Sequence, residues 1–185
     1  NYANGYRYSV VDMDADGGKG MVITKNVLLW GSCTERLTTA RHANGTDIWV
    51  ITNDNTSNTF HAWLVNCSGI QAVPVVSTVG NPMTDFLEMN TGILKVSPDG
   101  KLLAQTHFPT IGVTSPPPNF FQLFNFDNAT GVISNPREFL FANTQYTHCE
   151  FSSNSRLLYL TRPYEKKMDQ FDVSLGTVPA IAASR

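Results

Sequence analysis

Gly92–Thr106 reads GILKVSPDGKLLAQT: an apolar strand, a tight polar turn closing on Gly100, then a second apolar strand. Apolar residues on both sides of a Pro-Asp-Gly turn predict a β-hairpin, with glycine supplying the left-handed turn residue. The same sentence occurs twice more, as LTTARHANGTDIWVIT over Leu37–Thr52 and THCEFSSNSRLLYLT over Thr147–Thr161. The turn residues Gly45, Gly100 and Ser155 fall 55 positions apart each time. Hairpins at a fixed period predict a repeat architecture, in which each unit buries its faces against its neighbours. The expected fold is all-β: a β-propeller with four-stranded antiparallel blades.

Working outward, each unit accommodates four strands. The first full unit is expected to use 37–43, 47–52, 59–65 and 71–77. The next uses 92–96, 102–106, 120–126 and 132–141, and the last 148–151, 157–161, 168–173 and a frayed strand at 178–182. A second phrase closes each third strand: LVNCSG, FDNATG and FDVSLG, ending on Gly69, Gly131 and Gly176. VDMDADG, ending on Gly17, is the same phrase, so 1–31 reads as the end of an earlier blade, with Lys25–Trp30 as its fourth strand. The chain then divides into 1–31, 32–80, 81–142 and 143–185, about half a blade plus three blades. A closed ring needs about four to eight, so the expectation is a partial ring from a longer protein, with apolar faces left open to association. The third unit carries an insertion, Phe108–Asn119, whose Pro116-Pro117-Pro118 run stops sheet pairing and reads as a stiff connector or a surface binding loop.

Composition narrows the function classes. The net charge is −2 and charged residues make up 15%, without the clustered Lys and Arg of a nucleic-acid footprint. No apolar run reaches the roughly 18 residues of a spanning helix. Sixteen asparagines suit a protein with many tight turns. Cys33, Cys67 and Cys149 are far apart and form no CxxC, so a structural zinc site is not expected. One disulfide with a free thiol, or three buried thiols, both fit; the thiols are favoured.

The ordered phrases resemble one protein group. YSVVDMDADGGKG, KNVLL and ERLTTARHANGTDIWV, continued by GILKVSPDGKLLA, FQLFNFDNATGVISNP and CEFSSNSRLLYLTR, resemble the propeller region of large exported surface proteins of Bacteroidetes. That group typically ends in a type IX secretion sorting domain, related to gliding-motility-associated C-terminal domains. The resemblance implies export and a place on, or release from, the cell surface. It carries no catalytic residues over. One departure is Asn154-Ser155 in place of Asp-Gly, which implies a looser turn.

Several residues could carry chemistry. Asp12, Asp14 and Asp16 before Gly17 form a DxDxDG pattern whose oxygens suit Ca²⁺, but the twelfth position of the loop is Ile23, which supplies no ligand. The other reading is a polar hairpin from Asp14 to Gly20. Arg41, His42, Lys95, His148 and Glu150 fall on first strands, which line the channel of a propeller. Lys95 and Glu150 occupy equivalent positions, so neighbouring blades can pair them. For His42 and His148 the competing roles are a channel metal or base and a structural histidine bonded to backbone. His61 and His107 complete no metal-ligand spacing. G-x-S-x-G, GxGxxG and GxxxxGK[ST] are all missing from the sequence. Two functions follow: a non-catalytic scaffold or recognition module with a protein or glycan partner, or a lactonase-like or hydrolase propeller whose site is completed by further blades.

Overall fold

The computed structural model describes residues 5–55, 57–81, 92–106, 119–141, 144 and 146–185. The described residues form antiparallel sheets with little helix, so the chain is all-β. It divides into two compact units, Asn1–Cys33 and Thr34–Arg185.

The first unit is a hairpin of β1 (Tyr6–Asp12) and β2 (Met21–Trp30). Pairing runs from Tyr6 opposite Trp30 to Asp12 opposite Met21, with three register shifts. Asn26 (φ +56°) sits in this irregular stretch, where its N–H donates to Ser9 Oγ and its carbonyl accepts from Arg7. The connection is a short helical turn, α1 (Ala15–Gly18), kinked where Asp16 and Gly17 enter the left-handed region. Lys25–Trp30 lies in a strand, as the repeat predicts, and that strand begins four residues earlier at Met21.

Among the described residues, the second unit holds three sheets. The first contains β3 (Leu37–Arg41), β4 (Ile48–Asn53), β5 (Thr59–Asn66), β6 (Gly69–Ile70) and β7 (Val75–Thr78). The second runs β8 (Leu94–Val96), β9 (Leu102–Thr106), β10 (Asn119–Asp127) and β11 (Val132–Phe141), in that order. The third has β12 (Cys149–Phe151), β13 (Leu157–Arg162) and β14 (Lys167–Asp172), followed by a helix, α2 (Val178–Ala183). The first strands β3, β8 and β12 lie side by side, β8 between the other two.

Each interface between sheets has its own core, because the strands of the middle sheet are apolar on both faces. Phe124, Phe126 and Leu103 face Trp49, Ile51 and Phe60 of the first sheet. Phe121, Leu123 and Phe139 face Phe151, Leu158 and Phe171 of the third. Phe121 and Phe139 stack with ring centroids 4.4 Å apart and planes within 6°. Burying one such ring contributes about 2–3 kcal/mol, so the aromatic alternation of β10 fastens its sheet on both sides.

Turns lock the interfaces further. The β10–β11 turn reaches the first sheet, where Asn128 O accepts from Trp49 Nε1 at 2.8 Å and from Ala43 N at 3.0 Å. Between the second and third sheets the Asp99 N–H donates to Ser155 Oγ at 3.0 Å. Ser155 holds φ +60° where Gly45 and Gly100 hold +80° and +71°. The Asn-Ser substitution therefore keeps the turn rather than loosening it: Ser155 accepts left-handed strain and gains a bond between sheets.

Three expectations are corrected. The frayed strand expected at 178–182 is helix α2. Pro179 has no N–H for a ladder but suits a first helical turn, the alanines favour helix, and Ile181 is fully buried in the core. The strand expected at 71–77 is shortened to β7 (Val75–Thr78), which pairs the beginning of β5, while β6 just before it pairs the end of β5. Pro74, immediately before β7, lacks the donor that a continuous strand would need. The cysteines are all thiols, but only Cys149 is buried, with Cys33 half-buried and Cys67 exposed. The insertion's residues 108–118, including the three prolines, and His107 lie outside the described residues.

Candidate functional site

The first strands position the charged candidates. Lys95 on β8 and Glu150 on β12 meet, with Nζ 2.6 Å from Oε2. Arg41 ends β3 with an exposed side chain, and its carbonyl accepts a long 3.4 Å bond from Asn128 Nδ2. His42 and His148 fall just outside the strands, one after β3 and one before β12, which corrects their placement on them.

His42 is spent on structure. The Asn44 N–H donates to Nδ1, so that nitrogen is the acceptor, and Nε2–H then donates to Ala129 O at 3.0 Å. Its ring lies 5.6 Å from Trp49. The imidazole thus fastens the β10–β11 turn to the first sheet. His148 is exposed, with Nδ1 3.0 Å from Thr147 Oγ1. Of the five candidates, the structure unites Lys95 and Glu150 and gives His42 a separate task.

Asp12, Asp14 and Asp16 stand exposed around the β1–β2 connection. Asp12 Oδ1 accepts the Asp14 N–H at 3.0 Å, a bond that shapes the turn. Among the described residues no three His, Cys, Asp or Glu side chains are placed to share a metal ion, so the three aspartates do not form a Ca²⁺ cage.

A set of buried polar groups lies in the first sheet and in the segment leading into it. Arg36 is 1% exposed, and loss of solvent pulls its guanidinium down to about 10. Around its segment the Arg36 N–H donates to Thr34 Oγ1, and Thr52 Oγ1 donates to Arg36 O. His61, 2% exposed on β5, lies 3.1 Å from Asp54 Oδ1, while Ser57 Oγ donates to Asp54 Oδ2. The sequence gives no sign of buried Arg36, whose burial depends on packing between distant strands. The Asp54–His61 pair does have a local signal. The two flank a hairpin closed by Asp54 N donating to Thr59 O, which brings residues seven apart together.

The third sheet has an ionic knot: Asp169 accepts from Tyr146 Oη, Arg162 Nη2 and Arg185 Nε. Burial first, then the Asp169 hydrogen bond, raises the Tyr146 phenol well above its ordinary range. Arg185 also lies 5.0 Å over the Phe141 ring, so the knot ties the end of the chain to the second and third sheets.

No family model matches the chain, and no curated protein does. Solved structures share the fold at low identity. A candidate 6-phosphogluconolactonase from Bacteroides fragilis aligns with 76% of this chain and 35% of its own, at 13% identity and TM-score 0.51. A functionally unknown protein from Desulfotomaculum acetoxidans aligns over 94% and 51%, at 14% identity and TM-score 0.52. Kuenenia stuttgartiensis hydrazine synthase aligns over 95% and 49%, at 11% identity and TM-score 0.52. The chain therefore spans about a third to a half of the length of these structures.

Proposed function

We propose that the chain belongs to a β-propeller of four-stranded blades that serves as a non-catalytic scaffold or recognition module. Its partner is a protein or a glycan, and further blades of the same protein complete the ring. The observation carrying this reading is the contact of Lys95 with Glu150, equivalent residues of successive first strands. Such a contact supports blades turning about a common axis, with the charges of their inner strands joining one blade to the next. The resemblance to Bacteroidetes surface proteins adds a secreted or cell-surface location reached by type IX export. Protease shaving of intact source cells tests that location: release of peptides from this chain supports it, and full protection counts against it.

A hydrolase or lactonase on the same fold is the second reading, and it draws on the pair of buried His61 with half-buried Asp54. A carboxylate that orients an imidazole is one component of general-base chemistry. The two readings separate in one experiment on the full-length protein: a glycan and protein-ligand binding screen run beside lactone and ester hydrolysis, with and without divalent metal. Binding without turnover is expected. Turnover that His61→Ala abolishes would replace the recognition reading with the enzymatic one.

A further inference from the structure

We propose that a groove at the turn end of the second sheet binds a neutral saccharide of one or two rings. It has a cavity volume of about 500 Å³, within the about 300–1,000 Å³ usual for small-molecule sites. Asn125 on β10 is its centre, paired to Leu102 of β9 on one side and Ser134 of β11 on the other. Lys101, Asp127 and Asn128 form the rest of its polar lining, above buried Phe126.

A bulge gives the groove its width. Pairing of β10 with β11 passes from Leu123–Arg137 directly to Asn125–Ser134, so Asn135 and Pro136 stand opposite Phe124 alone. Asn135 takes φ +50° there. Such a bulge bends its strand and re-aims neighbouring side chains.

The lining offers donors and acceptors in balance. Arg137 Nη2 donates to Asn125 Oδ1 at 2.8 Å. A guanidinium only donates, so this bond fixes the amide and leaves Nδ2 as the group for a ligand. Lys101 Nζ and the Ser134 hydroxyl add donors. Ser134 Oγ and Asn128 Oδ1 add acceptors, as do the remaining lone pairs of Asp127. Asp127 is held ionised by Thr130 Oγ1 and the Ala129 N–H. Opposite charges on Lys101 and Asp127 offset each other, which favours an uncharged ligand over an anion or a cation. A sugar supplies hydroxyls that donate and accept at once, with a C–H face for half-buried Leu102.

This assignment rests on the recognition reading and names the partner class and its site. Its test is calorimetric titration of the full-length protein with cellobiose, maltose and lactose, and separately with glucuronate and glucose 6-phosphate. Two variants accompany the wild type. Ser134→Trp fills the groove from an exposed position. Asn125→Asp retains the Arg137 contact and removes the Nδ2 donor. The expected result is millimolar binding of at least one neutral disaccharide, weakened at least about tenfold in each variant, with melting temperatures unchanged. Failure of all three neutral sugars to bind, or preference for the anionic ones, overturns the ligand class. Neutral-sugar binding that both variants leave intact moves the site elsewhere and leaves the recognition reading standing. Hydrolysis of a sugar bound in the groove would overturn the recognition reading and leave the groove assignment in place.

Discussion

Lys95 Nζ and Glu150 Oε2 stand 2.6 Å apart across two sheets, and the residues are separated by 55 positions, the spacing of the turn residues Gly45, Gly100 and Ser155. A repeat read along the chain thus becomes a contact in space, because equivalent first strands lie side by side. The side chains are 38% and 59% exposed, so solvent and salt screen the pair. A double-mutant cycle with Lys95→Ala and Glu150→Ala should give a coupling of about 0.2–1 kcal/mol, shrinking further in molar salt. A coupling several-fold larger would mean that the pair is more desolvated than this geometry indicates.

The two turn glycines Gly45 and Gly131 should respond differently to alanine. Both hold left-handed φ, at +80° and +77°, but a Cβ on Gly45 meets open space while one on Gly131 lies 2.7 Å from the Trp49 ring. Gly45→Ala should cost about 1 kcal/mol, the backbone term alone. Gly131→Ala adds a clash with a buried indole and should cost about 2–4 kcal/mol in all. Urea unfolding of the two variants measures the difference, and equal losses would show that Trp49 yields easily.

Helix α2 should act as part of the third sheet's core. Ile181 is fully buried, and Ser184 Oγ accepts the Asp172 N–H at 2.8 Å, satisfying a donor of β14. Ile181→Ala should destabilise the chain by about 2–5 kcal/mol. Ser184→Ala, which strands one backbone donor, should cost about 1–3 kcal/mol. Thermal unfolding of both variants tests this, and losses under half a kilocalorie would mean that the helix is only loosely docked.

How far the sequence reaches is visible in particular residues. The hairpins around Gly45, Gly100 and Ser155 were legible because their cause is local: alternating apolar residues and a turn with a left-handed residue. Lys95 and Glu150 could be paired because the repeat converts sequence spacing into spatial neighbourhood. Helix α2 was misread because Val178–Ala182 is short and apolar, and such a segment satisfies strand and helix patterns alike. Pro179 was the signal that could have decided it. The buried Arg36 and the Arg137–Asn125 contact were out of reach, since both depend on how separate strands pack or bulge.

A buried thiol and a buried phenol make stability fall at alkaline pH. Cys149 is buried, and loss of solvent, with Glu150 adding repulsion, pushes its thiol up to about 12. Tyr146 is raised by burial and by Asp169. For either group the unfolded chain releases its proton at lower pH than the folded one. Stability is therefore fully present below the unfolded thiol's ordinary value and falls as pH rises above it. The urea midpoint should hold steady from neutral pH to about pH 8.5, the reference for a free cysteine, and then decline. Cys149→Ser should flatten part of the decline, and Tyr146→Phe another part, whatever each does to stability at neutral pH. Labelling with iodoacetamide at neutral pH supplies an independent check. Exposed Cys67 should react first, half-buried Cys33 more slowly, and Cys149 only after unfolding, because the reactive species is the thiolate and burial opposes its formation. Rapid labelling of Cys149 in the native chain would show that the core between the second and third sheets opens readily.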